Sequence, residues 1–236
     1  MQLPLLDPFE PQFPDPGTAF EEPPGLLAAG GNLNPQTLVT AYRQGIFPWF
    51  EEGEPILWWS PSPRCVLYPE KFRFSKSLVK SLRKSDYSVT TDSHFEAVIH
   101  ACSEPRRDSQ GTWITTTMID AYTTLFSLGY AHSVEVWKGK ELIGGLYGIK
   151  IGACFCGESM FSRVPNASKI AMAHLCYSLK ESAFRLIDCQ LENPHLLSLG
   201  AETLSRELFL QKIATYRDID LAWPKITTLD WKTKQI

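Results

Sequence analysis

Three consecutive strand-like stretches separated by glycine turns constrain the fold of this chain more than any other feature of its sequence. They cover residues 133–137, 142–150 and 153–159, with a Lys-Gly-Lys turn after the first and Gly152 between the second and the third. Runs of this length bounded by turn residues are typical of antiparallel strands joined in chain order. The sequence therefore predicts a three-stranded meander.

The elements predicted after the meander complete a mixed pattern. Asn166 is expected to cap an apolar helix, residues 185–190 to form a fourth strand, and residues 205–214 to form a last helix. The order β-β-β-α-β-α is that of the acyl-CoA N-acyltransferase-like (GNAT-like) architecture, although a fold does not by itself fix a function. The predicted fold class is α+β, with a central and mostly antiparallel sheet.

Four helices are predicted before the meander, because apolar residues recur there at helical spacing. They lie at residues 35–44, 75–85, 92–102 and 115–128. The first of them has Asn34 as its expected N-cap and a proline at its first position.

Proline dominates the start of the chain. Residues 1–24 contain seven of the 17 prolines together with five acidic residues. Because proline removes a backbone donor, this segment is expected to be an extended surface arm rather than a helix or a central strand. Prolines and aromatic residues cluster again at residues 46–64. We therefore predict a small N-terminal domain over residues 1–63 and a GNAT-like catalytic domain over residues 64–236.

Composition excludes several classes of protein. A chain of 236 residues with 44% hydrophobic and 21% charged residues suits one large or two small globular domains. A net charge of −3 excludes a wholly basic nucleic-acid coat. No apolar run approaches the roughly 18 residues of a membrane span, and no secretory signal is visible. A cytoplasmic protein without membrane association is therefore expected.

Neither the cysteines nor the histidines are spaced as metal ligands usually are. The six cysteines form no Cys-x-x-Cys pair, so they are interpreted as reduced, buried residues. The five histidines show no ligand spacing either, and no metal site is predicted.

The strand over residues 186–190 carries an acid and an amide. Side chains alternate along a strand, so Asp188 and Gln190 are expected on one face and Cys189 on the other. Burying an acid without partners is costly. Two interpretations stay open from these residues alone. The pair ties down neighbouring backbone, which is slightly favoured, or it takes part in chemistry.

Glu158 is a second unusual acid, because it lies in an otherwise apolar strand. Without a bulge it would share a face with Cys156. It marks either a strand end that reaches solvent or a carboxylate in a pocket wall. Ser159 is not expected to be a hydrolase nucleophile, because its surroundings lack the second glycine of Gly-x-Ser-x-Gly.

Trp49, Trp58, Trp59 and Trp113 form the most prominent aromatic group. Most tryptophans in globular proteins are largely buried, and that interpretation holds for most of these. Trp113 follows a polar loop at residues 104–111, which is a favourable position for lining a ligand pocket.

Four cations lie on one arc of the helix predicted over residues 75–85: Lys76, Lys80, Arg83 and Lys84. A solvated surface is the default interpretation of such a face. Cations with no acid among them also attract phosphate, so a nucleic-acid contact is the alternative.

Longer stretches of the sequence resemble the leucyl/phenylalanyl-tRNA–protein transferase family. The resemblance runs from about residue 13 to residue 220, so it is not a single-motif match. The matching stretches are PPGLLAAGGNL (23–33), AYRQGIFPWF (41–50), ILWWSPSPR (56–64), TWIT (112–115), AHSVEVW (131–137), GGLYG (144–148), FCGESMFSR (155–163), NASK (166–169), LIDCQ (186–190) and SLGA (198–201).

The resemblance implies transfer of leucine or phenylalanine from tRNA to the α-amine of proteins that begin with Arg or Lys, which marks them for the N-degron pathway. The implied partners are Leu-tRNA, Phe-tRNA and those proteins, with no metal or diffusible cofactor. We also expect a monomer, because no coiled-coil pattern is visible.

The same resemblance implies three sets of site residues. The pocket for the amino acid and the terminal adenosine is lined by Trp49, Trp113, Leu146, Phe155, Glu158 and Met160. The catalytic pair is Asp188 and Gln190. The tRNA-contacting cations are Lys76, Lys80, Arg83 and Lys84.

The chemistry of such a transfer is undemanding. An α-amine has a pKa near about 7.7–8.0, so only modest help from a base is required. Asp188 is expected to orient the amine and take up proton charge, directly or through Gln190, whose amide suits a developing oxyanion. Positioning of the two substrates supplies most of the rate. Glu158 or Asp188 provides the acidic wall for an Arg or Lys N-terminus.

Other functions fit parts of the pattern. A CoA-dependent N-acetyltransferase would need a glycine-rich loop before the helix at residue 167, where this chain has Pro165 and no glycine pair. A non-catalytic tRNA-binding adaptor would make Asp188 and Gln190 structural. Within the family, a relative that uses leucine alone and acts on acidic N-termini is a further alternative.

Overall fold

The computed structural model describes residues 2–84, 86–105 and 113–234, and within them the chain forms eleven strands and seven α-helices. The strands are β1 (Leu5–Leu6), β2 (Leu26–Gly30), β3 (Phe47–Pro48), β4 (Leu57–Trp59), β5 (Arg64–Leu67), β6 (Ser88–Thr91), β7 (Ala131–Lys138), β8 (Glu141–Ile151), β9 (Cys154–Ser162), β10 (Leu186–Gln190) and β11 (Glu202–Leu204). The helices are α1 (Pro35–Arg43), α2 (Lys76–Leu82), α3 (Phe95–Ser103), α4 (Thr116–Ser127), α5 (Ala167–Glu181), α6 (Pro194–Ser198) and α7 (Arg206–Tyr216).

The strands of this described part assemble into two sheets. The small sheet has the order β1-β2-β4-β3, and the large sheet has the order β11-β5-β10-β9-β8-β7-β6. In the large sheet β9 and β10 run parallel, whereas the other neighbours pair antiparallel. The predicted fold class is confirmed: a small N-terminal part precedes an α/β domain whose sheet is mostly antiparallel.

The meander forms where the sequence predicts it, as β7, β8 and β9. Gly152 turns the chain between β8 and β9 with a φ of +57°, which favours glycine. A Cβ atom at this position would also lie 2.3 Å from the carbonyl oxygen of Tyr216 at the end of α7. The turn therefore needs glycine for its conformation and for its packing.

The small sheet packs on one face of the large sheet. One hydrophobic cluster joins Leu27, Leu38 and Trp58 of the N-terminal part to Phe95 of α3 and Tyr147 of β8. Because this cluster contains residues from both sides of position 64, it does not separate two domains there. The domain boundary near residue 64 stays a prediction. The proline-rich arm contributes β1, which pairs with β2 at the edge of the small sheet, and a short 3₁₀ helix at Pro16–Thr18.

One predicted helix start is wrong, and the N-cap of another helix lacks its expected side-chain bond. The helix predicted over residues 92–102 begins at Phe95, and Ser88–Thr91 before it form β6. Asn166 occupies the predicted N-cap position of α5, but its backbone is left-handed (φ +69°) and its side chain makes no cap hydrogen bond. Its side chain instead donates to Ser81 Oγ at 3.0 Å. The hydroxyl of Ser162 accepts from the Ser168 amide in the first turn of α5, so it takes over the capping role.

A second hydrophobic cluster includes residues of α2, α5, β5, β7 and β10, and the segment after α7 packs against it. Ile226 and Trp231 are buried in that cluster, and the Trp231 indole donates to Nε2 of His174 at 3.0 Å. The Leu229 amide donates to the same ring nitrogen. Burial lowers the pKa of His174 to about 4, so the ring stays neutral and can accept these bonds.

All six cysteines are free thiols. Five are buried as predicted, but Cys189 is only half-buried, because it lies in the wall of a cavity. Across the described residues, we find no helix with the length and apolarity that crossing a bilayer requires.

Candidate active site

A cavity of about 1110 Å³ opens where β9 and β10 separate. The two strands pair only over Cys154–Cys156 and Leu186–Asp188, and beyond that point they diverge. Residues of both hydrophobic clusters line the cavity, so it reaches both faces of the sheet. Ligand sites in proteins are typically concave and mostly apolar, with a few polar groups.

Every residue predicted to line the amino-acid pocket lies in the wall of this cavity. They are Trp49, Trp113, Leu146, Phe155, Glu158 and Met160. Trp49 is 40% exposed and packs against Trp59 with ring centroids 5.5 Å apart. The loop predicted at residues 104–111 lies outside the described residues from residue 106 onwards.

Gln190 lies in the cavity wall, whereas Asp188 does not. Asp188 is 1% exposed and accepts two hydrogen bonds from Arg64: Nε to Oδ1 at 2.8 Å and Nη2 to Oδ2 at 2.7 Å. Arg64 is fully buried, with its guanidinium 4.4 Å from the centroid of the Phe209 ring. The Asp188 carboxylate is therefore tied to a buried cation behind the wall.

Asp188 also fixes the backbone of Gln190. The pairing of β10 with β5 shifts register between these two residues, and Gln190 has a φ of +62°. A non-glycine residue in the left-handed region costs on the order of 1–3 kcal/mol. The Gln190 amide donates to Asp188 Oδ1 at 3.0 Å, which helps to hold this conformation. The Arg64–Asp188 pair thus sets the position of the Gln190 side chain.

The wall of the cavity contains a hydrogen-bonded pair formed by Glu158 and Gln190. Nε2 of Gln190 donates to Oε1 of Glu158 at 2.8 Å. Glu158 is the extra residue of a β-bulge in β9. Tyr147 pairs with Ser159 and the next residue of β8, Gly148, pairs with Gly157, so Glu158 has no partner in the ladder. It is 8% exposed, so it is a pocket carboxylate and not a solvated strand end.

Two tyrosines complete the surroundings of Glu158. The Tyr122 hydroxyl of α4 donates to Oε2 at 3.0 Å, and the hydroxyls of Tyr42 and Tyr122 are 2.5 Å apart. Burial, and after it the charge of Glu158, raises the pKa of both tyrosines well above 10, so both hydroxyls keep their protons. A phenol has one proton to donate, and Tyr122 donates its proton to Glu158. Tyr42 is therefore the donor in the hydrogen bond between the two phenols.

Burial raises the pKa of Glu158 from its ordinary value of 4.5 to about 7. The Tyr42 and Tyr122 hydroxyls oppose this shift by stabilising the ionised form, Asp188 adds to it by repulsion, and Gln190 opposes it. Glu158 therefore changes protonation state near neutral pH. Carboxyl groups with this property cluster at functional sites.

The four predicted tRNA-contacting cations lie at and just beyond α2. Lys76, Lys80, Arg83 and Lys84 are all exposed. Among residues 2–84, 86–105 and 113–234, no carboxylate lies within salt-bridge distance of them, whereas other surface cations such as Lys71 and Arg163 have acidic partners. The face is open to a phosphate partner.

Sequence reasoning missed Arg64, Tyr42 and Tyr122. A buried acid requires a partner, so Asp188 signalled that a cation would be near. Arg64 at the start of a buried apolar strand was the available signal. The tyrosines lie on two separate helices, and no local pattern relates them to Glu158. In the described part of the chain, no three His, Cys, Asp or Glu side chains approach as metal ligands, and the absence of a metal site stays a prediction.

The fold and the cavity together define an α+β protein with a binding site where β9 and β10 separate. The profile of the leucyl/phenylalanyl-tRNA protein transferase family matches residues 66–214, and the profile of the N-terminal domain of that family matches residues 31–62. The chain therefore belongs to the leucyl/phenylalanyl-tRNA–protein transferase family and is an aminoacyltransferase.

Curated relatives and one solved structure extend this comparison. A leucyl/phenylalanyl-tRNA–protein transferase of Nitrosospira multiformis is 56% identical over 85% of this chain and 87% of its own length. Another, of Cellvibrio japonicus, is 51% identical over 95% of this chain and 97% of its own length. A GCN5-related N-acetyltransferase-like protein from Streptococcus suis has 11% identity and a TM-score of 0.31, covering 72% of this chain and 64% of its own. A superposition that loose supports no inference about function.

Proposed function

We propose that this protein transfers leucine or phenylalanine from aminoacyl-tRNA to the α-amine of proteins that begin with Arg or Lys. The observation that carries the proposal is the cavity, whose wall combines apolar side chains with the hydrogen-bonded Glu158–Gln190 pair. Its volume of about 1110 Å³ accommodates an aminoacyl-adenosine and the first residue of an acceptor. The products, proteins with a new N-terminal Leu or Phe, are substrates for N-degron proteolysis.

The apolar part of the wall accounts for the amino acid. Leu146, Phe155 and Met160 offer no polar group to a substrate side chain, which suits leucine and phenylalanine. Both are unbranched at Cβ, so a close wall disfavours isoleucine and valine by shape. One methylene is worth only about 1–3 kcal/mol in such a pocket, so the preference is graded.

The polar part of the wall accounts for the acceptor. Glu158 provides a carboxylate for a cationic N-terminus, and Gln190 presents its amide beside it. Gln190 is the catalytic residue of this proposal: its carbonyl oxygen orients the amine, and its free N–H stabilises the oxyanion that forms as nitrogen attacks. Asp188 acts through Gln190 and is a positioning residue, because its own oxygens are held by Arg64.

The test supplies radiolabelled Leu-tRNA and peptides that differ only in their first residue. A leucyl peptide is expected from a peptide that begins with Arg, and none from the same peptide with an acetylated N-terminus. Transfer to a peptide that begins with Asp or Glu instead would assign the leucine-only specificity of the family's other type. Consumption of acetyl-CoA without leucyl transfer would make the protein an acetyltransferase, and tRNA binding without any transfer would make it an adaptor.

The α2 face is tested by its dependence on salt. Lys80→Ala/Arg83→Ala removes two exposed cations, and Lys138→Ala/Lys140→Ala removes two exposed cations from the end of β7 and the turn after it as the matched control. If Lys80 and Arg83 contact phosphates, the slope of log Kd for tRNA against log salt falls by about two units, because each contact contributes close to one. An equal slope in both variants would assign the α2 face to ordinary solvation.

A further inference from the structure

We propose that Glu158 accepts the proton of the attacking amine, and that Tyr122, backed by Tyr42, is the positioning residue that sets it for this task. The inference rests on the proposed function, in which Glu158 meets the acceptor amine. It adds a proton acceptor and two residues from helices outside the cavity wall to that reaction.

The contacts of the two acids favour Glu158 over Asp188 as proton acceptor. Both Asp188 oxygens are bonded to Arg64, and Asp188 is behind the wall. Protonating Asp188 would leave the buried guanidinium without its counter-charge. The partners of Glu158 are neutral, so protonation there leaves no unpaired ion, and Glu158 lies in the wall itself.

The two phenols fix the direction of the Glu158 side chain. Tyr42 donates to Tyr122, and Tyr122 donates to Oε2, while Gln190 holds Oε1. Each carboxylate oxygen accepts more than one bond, so one lone pair on Oε1 beside Gln190 stays available to an amine. Without the phenols, the carboxylate would be free to rotate away from Gln190.

The step balances without a co-reactant. The neutral amine nitrogen attacks the ester carbonyl carbon, and its surplus proton passes to Oε1 of Glu158. The tetrahedral intermediate collapses, the bond from carbon to the ribose oxygen breaks, and Glu158 returns the proton to that oxygen. A peptide bond has formed, the tRNA has left with its hydroxyl, and Glu158 is ionised again.

Two buried groups beside Glu158 keep their protons near neutral pH. Tyr147 of β8 and Cys156 of β9 are buried, and burial raises the pKa of both well above their ordinary values. Asp188 of β10 is paired with Arg64. Glu104, Arg163 and His195 also line the cavity, but they are the same in every variant compared, so a shift of the profile on changing a tyrosine that contacts Glu158 reports on Glu158.

The experiment compares kcat/KM for leucyl transfer between pH 5.5 and 9 in the wild type and in Tyr122→Phe, Tyr42→Phe and Tyr147→Phe. Tyr147 is the matched control, since its hydroxyl is buried but has no hydrogen-bond partner within the described residues. Losing a donor to the ionised carboxylate raises its pKa. We expect the acid limb of the profile to move to higher pH in Tyr122→Phe and Tyr42→Phe, with about a tenfold larger loss of rate at pH 6.5 than at pH 8.5. The profile of Tyr147→Phe keeps its midpoint.

Two further comparisons distinguish a change in the pKa of Glu158 from a loss of folding and from a property of the acceptor peptide. The peptide titrates identically in every reaction, so differences between proteins belong to the enzyme. In the Glu158→Gln background, Tyr122→Phe should change the profile no further. A rate reduced equally at all pH values, or a Tyr122→Phe profile that matches Tyr147→Phe, would overturn the inference. If Arg-peptides are not substrates at all, the proposed function fails first, and the same profiles are measured on whichever acceptor is used.

Discussion

Asp188 and Glu158 are buried acids on neighbouring strands, yet their surroundings differ in kind. Asp188 faces a guanidinium that holds both of its oxygens, whereas Glu158 faces two phenols and an amide. A charged partner fixes the ionised state of an acid, while neutral donors orient it and leave its protonation free to change. The comparison assigns a framework role to the first acid and a chemical role to the second.

The largest expected effect concerns the framework acid. Arg64→Met keeps most of the side-chain volume but leaves Asp188 buried without its cation, which should lower the free energy of unfolding by about 3–5 kcal/mol. Urea denaturation measures this loss. The control is Arg43→Ala, which breaks the exposed pair with Asp218 and should cost about 1 kcal/mol or less. Equal losses in the two variants would mean that the Arg64–Asp188 pair does not anchor the fold.

The second effect concerns the pH dependence of stability. Because the pKa of Glu158 in the folded protein is raised from 4.5 to about 7, its contribution to stability is full below pH 4.5 and is lost as pH rises through 7. Glu158→Gln removes this loss, which is on the order of 3 kcal/mol. The unfolding free energy of the variant relative to wild type should therefore increase between pH 5 and pH 8. Glu141→Gln on the exposed β8 end should show no such change, and if Glu158→Gln behaves like it, Glu158 is already ionised at pH 5.

The third effect separates the two acids by kinetics. Asp188→Ala should reduce kcat by about 100-fold through misplacement of Gln190, with tRNA affinity unchanged. Asp188→Asn keeps an oxygen that accepts the Gln190 amide, so about tenfold of that loss should be recovered. Both variants remove the Asp188 charge, whose repulsion raises the pKa of Glu158, so the acid limb of the pH–rate profile should move to lower pH, opposite to its direction in the tyrosine variants. A parallel loss of tRNA affinity, or a limb that moves to higher pH as in the tyrosine variants, would erase the distinction between the two acids.

Much of the fold could be predicted, because most of its helices and strands follow from residue patterns within each segment. The meander, α5 and β10 follow from apolar periodicity and glycine turns over a few residues. The short strands β5 and β11 could not be predicted in the same way. Their residues are held in place by partners far along the chain, such as Val66 opposite Asp188.

The site shows the same difference between what local patterns predict and what depends on distant residues. The six wall residues and Gln190 that the resemblance implies lie around one cavity, and their contacts with substrates stay predictions. What local reasoning could not supply was the identity of each partner. Whether Asp188 meets a cation or solvent depends on Arg64, which lies 124 positions earlier in the chain. The left-handed turn at Gln190 depends on the bulge between β10 and β5.

Tyr42 has a consequence for how this architecture is inherited. It lies in α1, ahead of the large sheet, yet its hydroxyl supports a group in the cavity through Tyr122. Recombination that replaced the N-terminal part would therefore also replace a residue that supports the cavity. A chimaera that joins the first 63 residues of a distant relative to the rest of this chain must also inherit a phenol at that position and apolar residues that match α3 and α4. Lineages are expected to keep the two halves together as one hereditary unit.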